Sequence, residues 1–409
     1  MADDHAGFVA VSHTGNRSGA PILLLRFLDW LAENSPIEPD VLLLHGGALE
    51  WEFGRFGSKV LGRGDSKLWM MQRGLTNLKF GRAANAMAFA RQAPVMWSKR
   101  DSSLILLNSL GALPVLRFLP ETSTAKVVLY VHELDDSFDR TLGAAAWKLL
   151  SPRVDHFLTC GDLVTEMLVE RKGIHPDRVS EQPGFVDRPR EASMGTRHRR
   201  RMLGIPESSM IIGGSGRPEW RKGPELFIRM ARTLVNRRPD LDPHFVWMGG
   251  PIDESPGFKM LHDINAAGLG GRFHLLGEVD DPTSVYSLLD VFALTSREDP
   301  FPLVMLEASS VGTPVVSFAN GGVVEFASQG SDGPAATIVP YLDVAAMVDA
   351  LIELADDPVA RKALGERARD LVLTEYVTDV CGPRLLETLR EVAPDLPKAF
   401  ERRPDLDES

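Results

Sequence analysis

The chain has 409 residues, more than one hydrophobic core normally fills, so about two to three domains are expected. Its 45 Lys and Arg are outnumbered by 56 Asp and Glu, and a formal charge of −11 speaks against a general nucleic-acid binder. A content of 44% apolar and 25% charged residues excludes collagen-like and wholly disordered classes. The two cysteines, Cys160 and Cys381, stand far apart, so they build neither a disulfide framework nor a zinc ribbon and fit a reducing compartment. The acidic start lacks an apolar leader core, and no apolar run approaches the ~20 residues that cross a bilayer. A cytoplasmic protein is expected.

Taken in chain order, short apolar runs predict buried strands at 8–12, 41–44, 104–107, 127–131 and 156–159. A helix is expected over 21–33, where Leu24, Leu25, Leu28 and Leu31 share a face. The stretch 185–205 is rich in Pro, Gly and charge and reads as a seam. Beyond it, strands are expected at 210–213, 244–248, 273–276, 291–294 and 314–317, with a helix over 224–235 that has Pro224 at its first position. Such alternation predicts α/β domains with parallel sheets. The expected division is residues 1–190, residues 191–380, and a helix and tail at 381–409 that packs back on the first domain. Ligands of such sheets lie beyond the carboxyl ends of the strands.

Four segments carry chemistry. After the strand that ends near Thr295 come Glu298, Asp299, Phe301, Pro302, Leu303 and, in the first turns of a short helix, Glu307. The backbone N–H groups of Phe301, Leu303 and Val304 would meet an anion there, and Glu307 beside them suits a pair of sugar hydroxyls. In the second segment a Gly-rich turn, Gly213 to Gly216, leads to Arg217 and Lys222 around a helix start. A planar fork and a point charge together suit a diphosphate. The run is neither a dinucleotide fingerprint nor a Walker loop, because the third Gly and the Gly-Lys-Ser/Thr are missing. In the third, Gly15 and Gly19 follow the first strand and allow backbone to approach a ligand. In the fourth, His132 and Glu133 end an apolar strand, and no second ligand stands at metal spacing from His132. Taken singly, each segment also reads as a surface acid pair, a solvated basic turn, a plain tight turn or a locally satisfied His.

Taken together, the four resemble retaining nucleotide-sugar glycosyltransferases of family 4. The acidic E-x7-E motif of that family appears as Asp299-x7-Glu307, its Arg-x4-Lys pair as Arg217 and Lys222, and its Gly-Gly-x-x-Glu segment as Gly321, Gly322 and Glu325. The element that precedes its second domain appears as Pro183, Gly184, Phe185, Val186 and Asp187. The resemblance implies an α/β chain of the GT-B fold, two Rossmann-like doubly wound domains facing each other across a cleft. It implies Arg217 and Lys222 on the donor diphosphate, Glu307 on the ribose hydroxyls and Asp299 or its neighbour Glu298 on the transferred sugar. It also implies Phe301 and Leu303 lining the donor site, Gly15 and Gly19 against the diphosphate, and His132 at the reacting face. No cofactor and no metal are expected, the donor being a UDP- or GDP-sugar used with retention. Two departures stand out: Asp299 is one methylene shorter than the usual Glu, and Pro302 replaces a common Gly and removes a backbone donor.

The implied acceptor is a glycan, a lipid-linked molecule or a small molecule, in glycan, glycolipid or polysaccharide biosynthesis. Residues 54–100 hold ten Lys or Arg against one acid, Asp65. They read as a membrane-resting basic patch at an inner membrane face, a site for an acidic glycan, or a solvated insert. The rival readings of the whole chain are a non-catalytic nucleotide-sugar-binding partner subunit and a GT-B nucleotide-sugar epimerase.

Overall fold

The computed structural model describes residues 7–61, 92–190 and 195–400. Most of the basic stretch expected to meet a membrane or glycan, 62–91, lies outside them. Among the described residues no helix is long and apolar enough to cross a membrane.

The chain divides into two compact units, Met1–Pro183 with Thr378–Ser409, and Gly184–Val377. The first unit contains β1 (Phe8–Ser12), β2 (Pro39–Leu43), β3 (Lys59–Val60), β4 (Leu104–Asn108), β5 (Lys126–Val131), β6 (His156–Thr159) and β7 (Val179–Glu181). They form one sheet in the order β3-β2-β1-β4-β5-β6-β7, parallel throughout. The second unit contains β8 (Ile211–Ser215), β9 (His244–Met248), β10 (Phe273–Gly277), β11 (Val291–Leu294), β12 (Val315–Phe318) and β13 (Thr337–Val339). Its order is β10-β9-β8-β11-β12-β13, again parallel. Each order reverses beside its first strand, at β1/β4 and at β8/β11. This is the Rossmann-like arrangement, and the reversal is where such sheets bind ligands.

The central strands are buried on both faces, which is why they read as continuous apolar runs. The short β3, β7 and β13 have no such run, because each is a sheet edge with only partial cover. In the second unit the helix Pro224–Arg237 lays Leu226, Phe227, Met230 and Leu234 against the sheet. Phe227 meets Phe245, Trp247 and Phe273 edge-on at 6.2, 5.3 and 5.7 Å. Each such ring contributes about 1.5–3 kcal/mol by burial.

Both expected boundaries move. The seam falls at Pro183/Gly184 rather than 190/191, because Val186 donates its N–H to Tyr376 O at 2.9 Å and bridges Val377, which ties it to the second unit. The last helix starts at Thr378 rather than 381 and belongs to the first unit. There Gly382 lies so close to Trp30, on the helix Gly19–Asn34, that an added Cβ would stand 2.5 Å from the indole. Farther on, Phe400 donates its N–H to Asn34 O at 2.6 Å.

Candidate functional site

The second unit gathers its polar side chains at the β8/β11 switch. Past Ser215 the backbone turns through Gly216, at φ 136°, and packs on Gly249 and Gly250 at the end of β9. An added Cβ at Gly250 would lie 3.0 Å from Arg217 Cα and 2.7 Å from Pro218 Cδ, so the two turns touch backbone to backbone. The indole of Trp247 donates to Gly216 O at 3.0 Å. Arg217 emerges from this support half-exposed, its Nε 3.1 Å from Glu219. Lys222 lays its aliphatic stem on Gly216, where an added Cβ would stand 2.9 Å from Lys222 Cγ. The chain then enters the helix Pro224–Arg237 through Gly223 in the left-handed region, φ 63°. A Cβ there would meet Thr295 O at 2.2 Å, so glycine is required both by conformation and by space.

Lys222 Nζ donates to Asp299 Oδ2 at 2.5 Å, and Arg221 Nη1 stands 3.8 Å from Oδ1. Ser296 Oγ donates to Oδ2 at 3.2 Å. Asp299 is buried, at 6% exposure. Burial alone would raise its carboxyl, but the charges of Lys222 and Arg221 and the hydrogen bonds from Lys222 and Ser296 outweigh it and hold it below the ordinary carboxylate range. Asp299 is thus the counter-ion of the lysine. Its neighbour Glu298 accepts from Arg221 Nη1 with its peptide O at 2.8 Å, while its buried Oε1 has no hydrogen-bond partner among the described residues.

The Gly-Gly segment cradles this loop. Gly321, at φ 75°, lies against Asp299, where a Cβ would meet Asp299 O at 1.8 Å. Gly322 donates its N–H to Pro300 O at 2.7 Å, and an added Cβ there would stand 2.5 Å from the Phe301 ring. Phe301 is buried, its ring 5.5 Å from Tyr376 and close to Gly184, so the ring is spent on packing. Leu303 and Glu307 follow on the helix Leu303–Ser310, half-buried. Glu307 Oε2 accepts from the Tyr286 hydroxyl at 3.1 Å.

The first unit gathers a second cluster at its β1/β4 switch. His132, past β5, shares a hydrogen bond through Nε2 with Asn108 Oδ1 at 3.0 Å. His13, past β1, shares one through Nδ1 with Ser109 Oγ at 3.0 Å. Ser109 takes the φ 101° backbone that only glycine adopts freely, held there by its N–H on Tyr130 O at 2.8 Å. Burial and the neighbouring His13 push His132 down to about 3, and burial above all lowers His13 as well, so both rings are neutral near pH 7. Gly15 is used by the protein itself: its N–H donates to His45 O at 2.9 Å and its O accepts from Leu49 at 2.7 Å, against Gly47. Gly19 opens the helix Gly19–Asn34 and is exposed.

The structure therefore brings Arg217, Lys222, Glu298, Asp299, Phe301, Leu303 and Glu307 to the switch of the second sheet, and Gly15, Gly19 and His132 to that of the first. Sequence patterning does not single out Arg221, Ser296, Tyr286, Gly249 and Gly250, nor His13, Asn108 and Ser109. The available signal was position: Asn108 ends an apolar strand and Ser109 follows it directly, as His13 and His132 follow theirs.

Residues 196–371 match the model of the family described as glycosyl transferases group 1. The chain carries a glycosyl transferases group 1 domain. This group 1 domain holds Arg217, Arg221, Lys222, Glu298, Asp299, Phe301, Leu303 and Glu307. The chain is 34% identical over 218 residues to the D-inositol 3-phosphate glycosyltransferase of Corynebacterium urealyticum, covering 51% of this chain and 50% of that protein. It is 30% identical over 274 residues to the protein of the same name from Corynebacterium aurimucosum, covering 65% and 63%. The chain thus spans about half the length of the first of these relatives. Among solved structures it resembles Anabaena HepE in complex with UDP and glucose, with a TM-score of 0.76 at 17% identity over 94% of this chain and 99% of that one. It also resembles the sucrose-phosphate synthase of Thermosynechococcus elongatus, with a TM-score of 0.73 at 17% identity over 94% and 99%. At these identities the likeness shows the fold, which is GT-B.

Proposed function

We propose that the protein transfers a hexosyl group from a nucleotide-diphosphate sugar, such as a UDP- or GDP-sugar, to an acceptor hydroxyl with retention of anomeric configuration. The observation that carries this reading is the pair of Lys222 and Arg221 on one buried carboxylate, Asp299, with the half-exposed Arg217 held by Glu219 on the same turn, at the switch point of the group 1 domain. A planar fork and a point charge at this turn suit a dianionic pyrophosphate. A diphosphate arriving past Ser215 competes with Asp299 for the Lys222 ammonium, and the half-exposed Arg217 meets it as a fork. Together they stabilise the charge that develops on the departing nucleotide, the dominant electrostatic contribution in such a transfer. Glu307, oriented by Tyr286, accepts from ribose hydroxyls. Asp299, once Lys222 turns to the phosphate, offers an oxygen to the transferred sugar, with Glu298 beside it.

The acceptor carries a free hydroxyl and is a small phosphorylated polyol, a glycan or a lipid-linked sugar. The D-inositol 3-phosphate glycosyltransferases named above support the first of these. The proposal involves no metal, and excess EDTA is expected to leave turnover unchanged. Intact Arg217, Lys222 and Glu307 favour an active enzyme over a non-catalytic partner subunit. The test is donor turnover in Lys222→Ala and Glu307→Ala. Each is expected to fall more than tenfold, about 1.4 kcal/mol or more in the barrier. Rates like those of the unaltered protein in both variants reject the reading.

A further inference from the structure

The polar cluster past β4 and β5 has a fixed internal direction. Asn108 donates from Nδ2 to Ala20 O at 2.8 Å, and this decides which end of the amide is oxygen. The other end, Oδ1, faces His132 Nε2 at 3.0 Å. An amide oxygen only accepts, so the proton lies on Nε2 and the lone pair of the neutral ring on Nδ1. Among the described residues Nδ1 makes no hydrogen bond. Glu133 holds the frame: its Oε2 accepts the backbone N–H of His132 at 2.9 Å and of Leu110 at 3.3 Å, joining the end of β5 to the turn after β4. The Tyr130 ring lies 4.0 Å from the imidazole. Among the described residues the titratable groups facing His132 are Glu133, Tyr130 and His13.

We propose that Asn108 is a positioning residue, which fixes His132 as the Nε2–H tautomer and turns Nδ1 into a hydrogen-bond acceptor for a substrate hydroxyl. The hydroxyl clause rests on the glycosyl-transfer reading, whereas the tautomer stands on geometry alone. An acceptor nitrogen favours a sugar or polyol O–H and disfavours a carbonyl, carboxylate or phosphate oxygen at the same place. His132 then neither gives nor takes a proton; it selects and orients.

The test is nitrogen NMR of the full chain labelled at histidine, with His132 assigned by its disappearance in His132→Asn. The expected spectrum shows a neutral ring protonated at Nε2 and unchanged between pH 5.5 and 8. In Asn108→Asp a carboxylate faces Nε2 and favours the imidazolium, so His132 becomes doubly protonated at pH 6. Turnover of a panel of UDP- and GDP-sugars by that variant is then expected to fall at least tenfold at pH 6 relative to pH 8, with the unaltered protein flat. A proton on Nδ1, or a His132 that titrates at an ordinary value in the unaltered protein, overturns the positioning role. A pH-independent Asn108→Asp whose ring is doubly protonated overturns the hydroxyl clause. Absence of any transfer by the unaltered protein rejects the glycosyl-transfer reading while the spectrum still decides the tautomer.

Discussion

Replacing Asp299 by Asn probes the charge balance of the proposed donor site most directly. The carboxylate is 6% exposed and receives Lys222 at 2.5 Å and Arg221 at 3.8 Å. Breaking a buried pair by removing one partner costs about 3–5 kcal/mol, because the other charge is left uncompensated. The Lys222 side chain keeps 15% exposure, so its ammonium can reach water and the expected cost is about 3 kcal/mol. The freed ammonium no longer has to leave Asp299 for a phosphate, so UDP should stabilise the variant more than the unaltered protein. The assay is the urea-unfolding midpoint with and without UDP, in a cycle with Lys222→Met. The double variant is expected to lose less than the sum of the single losses by at least about 1.5 kcal/mol. Additivity within about 0.5 kcal/mol would refute the counter-ion argument. The acid limb gives a second check. Because the folded carboxyl is held below its ordinary 3.8, its contribution is complete above that value and is lost as pH falls through the folded one. Asp299→Asn should flatten that limb.

Gly321→Ala places a Cβ 1.8 Å from Asp299 O in a left-handed backbone, which together costs about 2–5 kcal/mol; an unchanged thermal midpoint would contradict the cradle. Tyr286→Phe removes the hydroxyl that orients Glu307 and is expected to raise the donor KM severalfold with little change in kcat; steady-state kinetics check this. His244 on β9 and His274 on the neighbouring edge strand β10 share an N···N hydrogen bond at 3.0 Å, so one ring must accept and the two cannot both be charged. Burial above all lowers both, with Arg272 and Arg200 adding to it at His244 against the opposing Asp242, and His244 adding to it at His274. Their contribution is therefore complete above the ordinary 6.5 and lost as pH falls below it, so the urea midpoint should drop between pH 7.5 and 5, and His274→Gln should lessen that drop.

Parallel strands buried on both faces announce themselves as apolar runs, and β1, β4, β8 and β9 were legible for that reason. The helix Pro224–Arg237 was legible from Pro224 and its apolar spacing, and the charged residues gathered at the second sheet's switch from charge beside glycine at strand ends. Edge strands such as β3 and β13 carry no comparable pattern, since one side of each lacks a neighbour. The division at Pro183 depended on Val186 meeting Tyr376 and Val377, residues remote in the chain. Pairings were equally non-local. Lys222 and Asp299 are 77 residues apart, and His13 and Ser109 are 96 apart.

Periodicity and turn chemistry act over a few residues, so amino-acid order alone determined the kind of elements, the parallel α/β class and the chemistry available at strand ends. The partner of a buried charge is chosen by which loops the sheet order brings together. Only the tertiary structure therefore decided that Asp299 neutralises Lys222, that Phe301 packs against Tyr376, and that Asn108 sets the direction of His132.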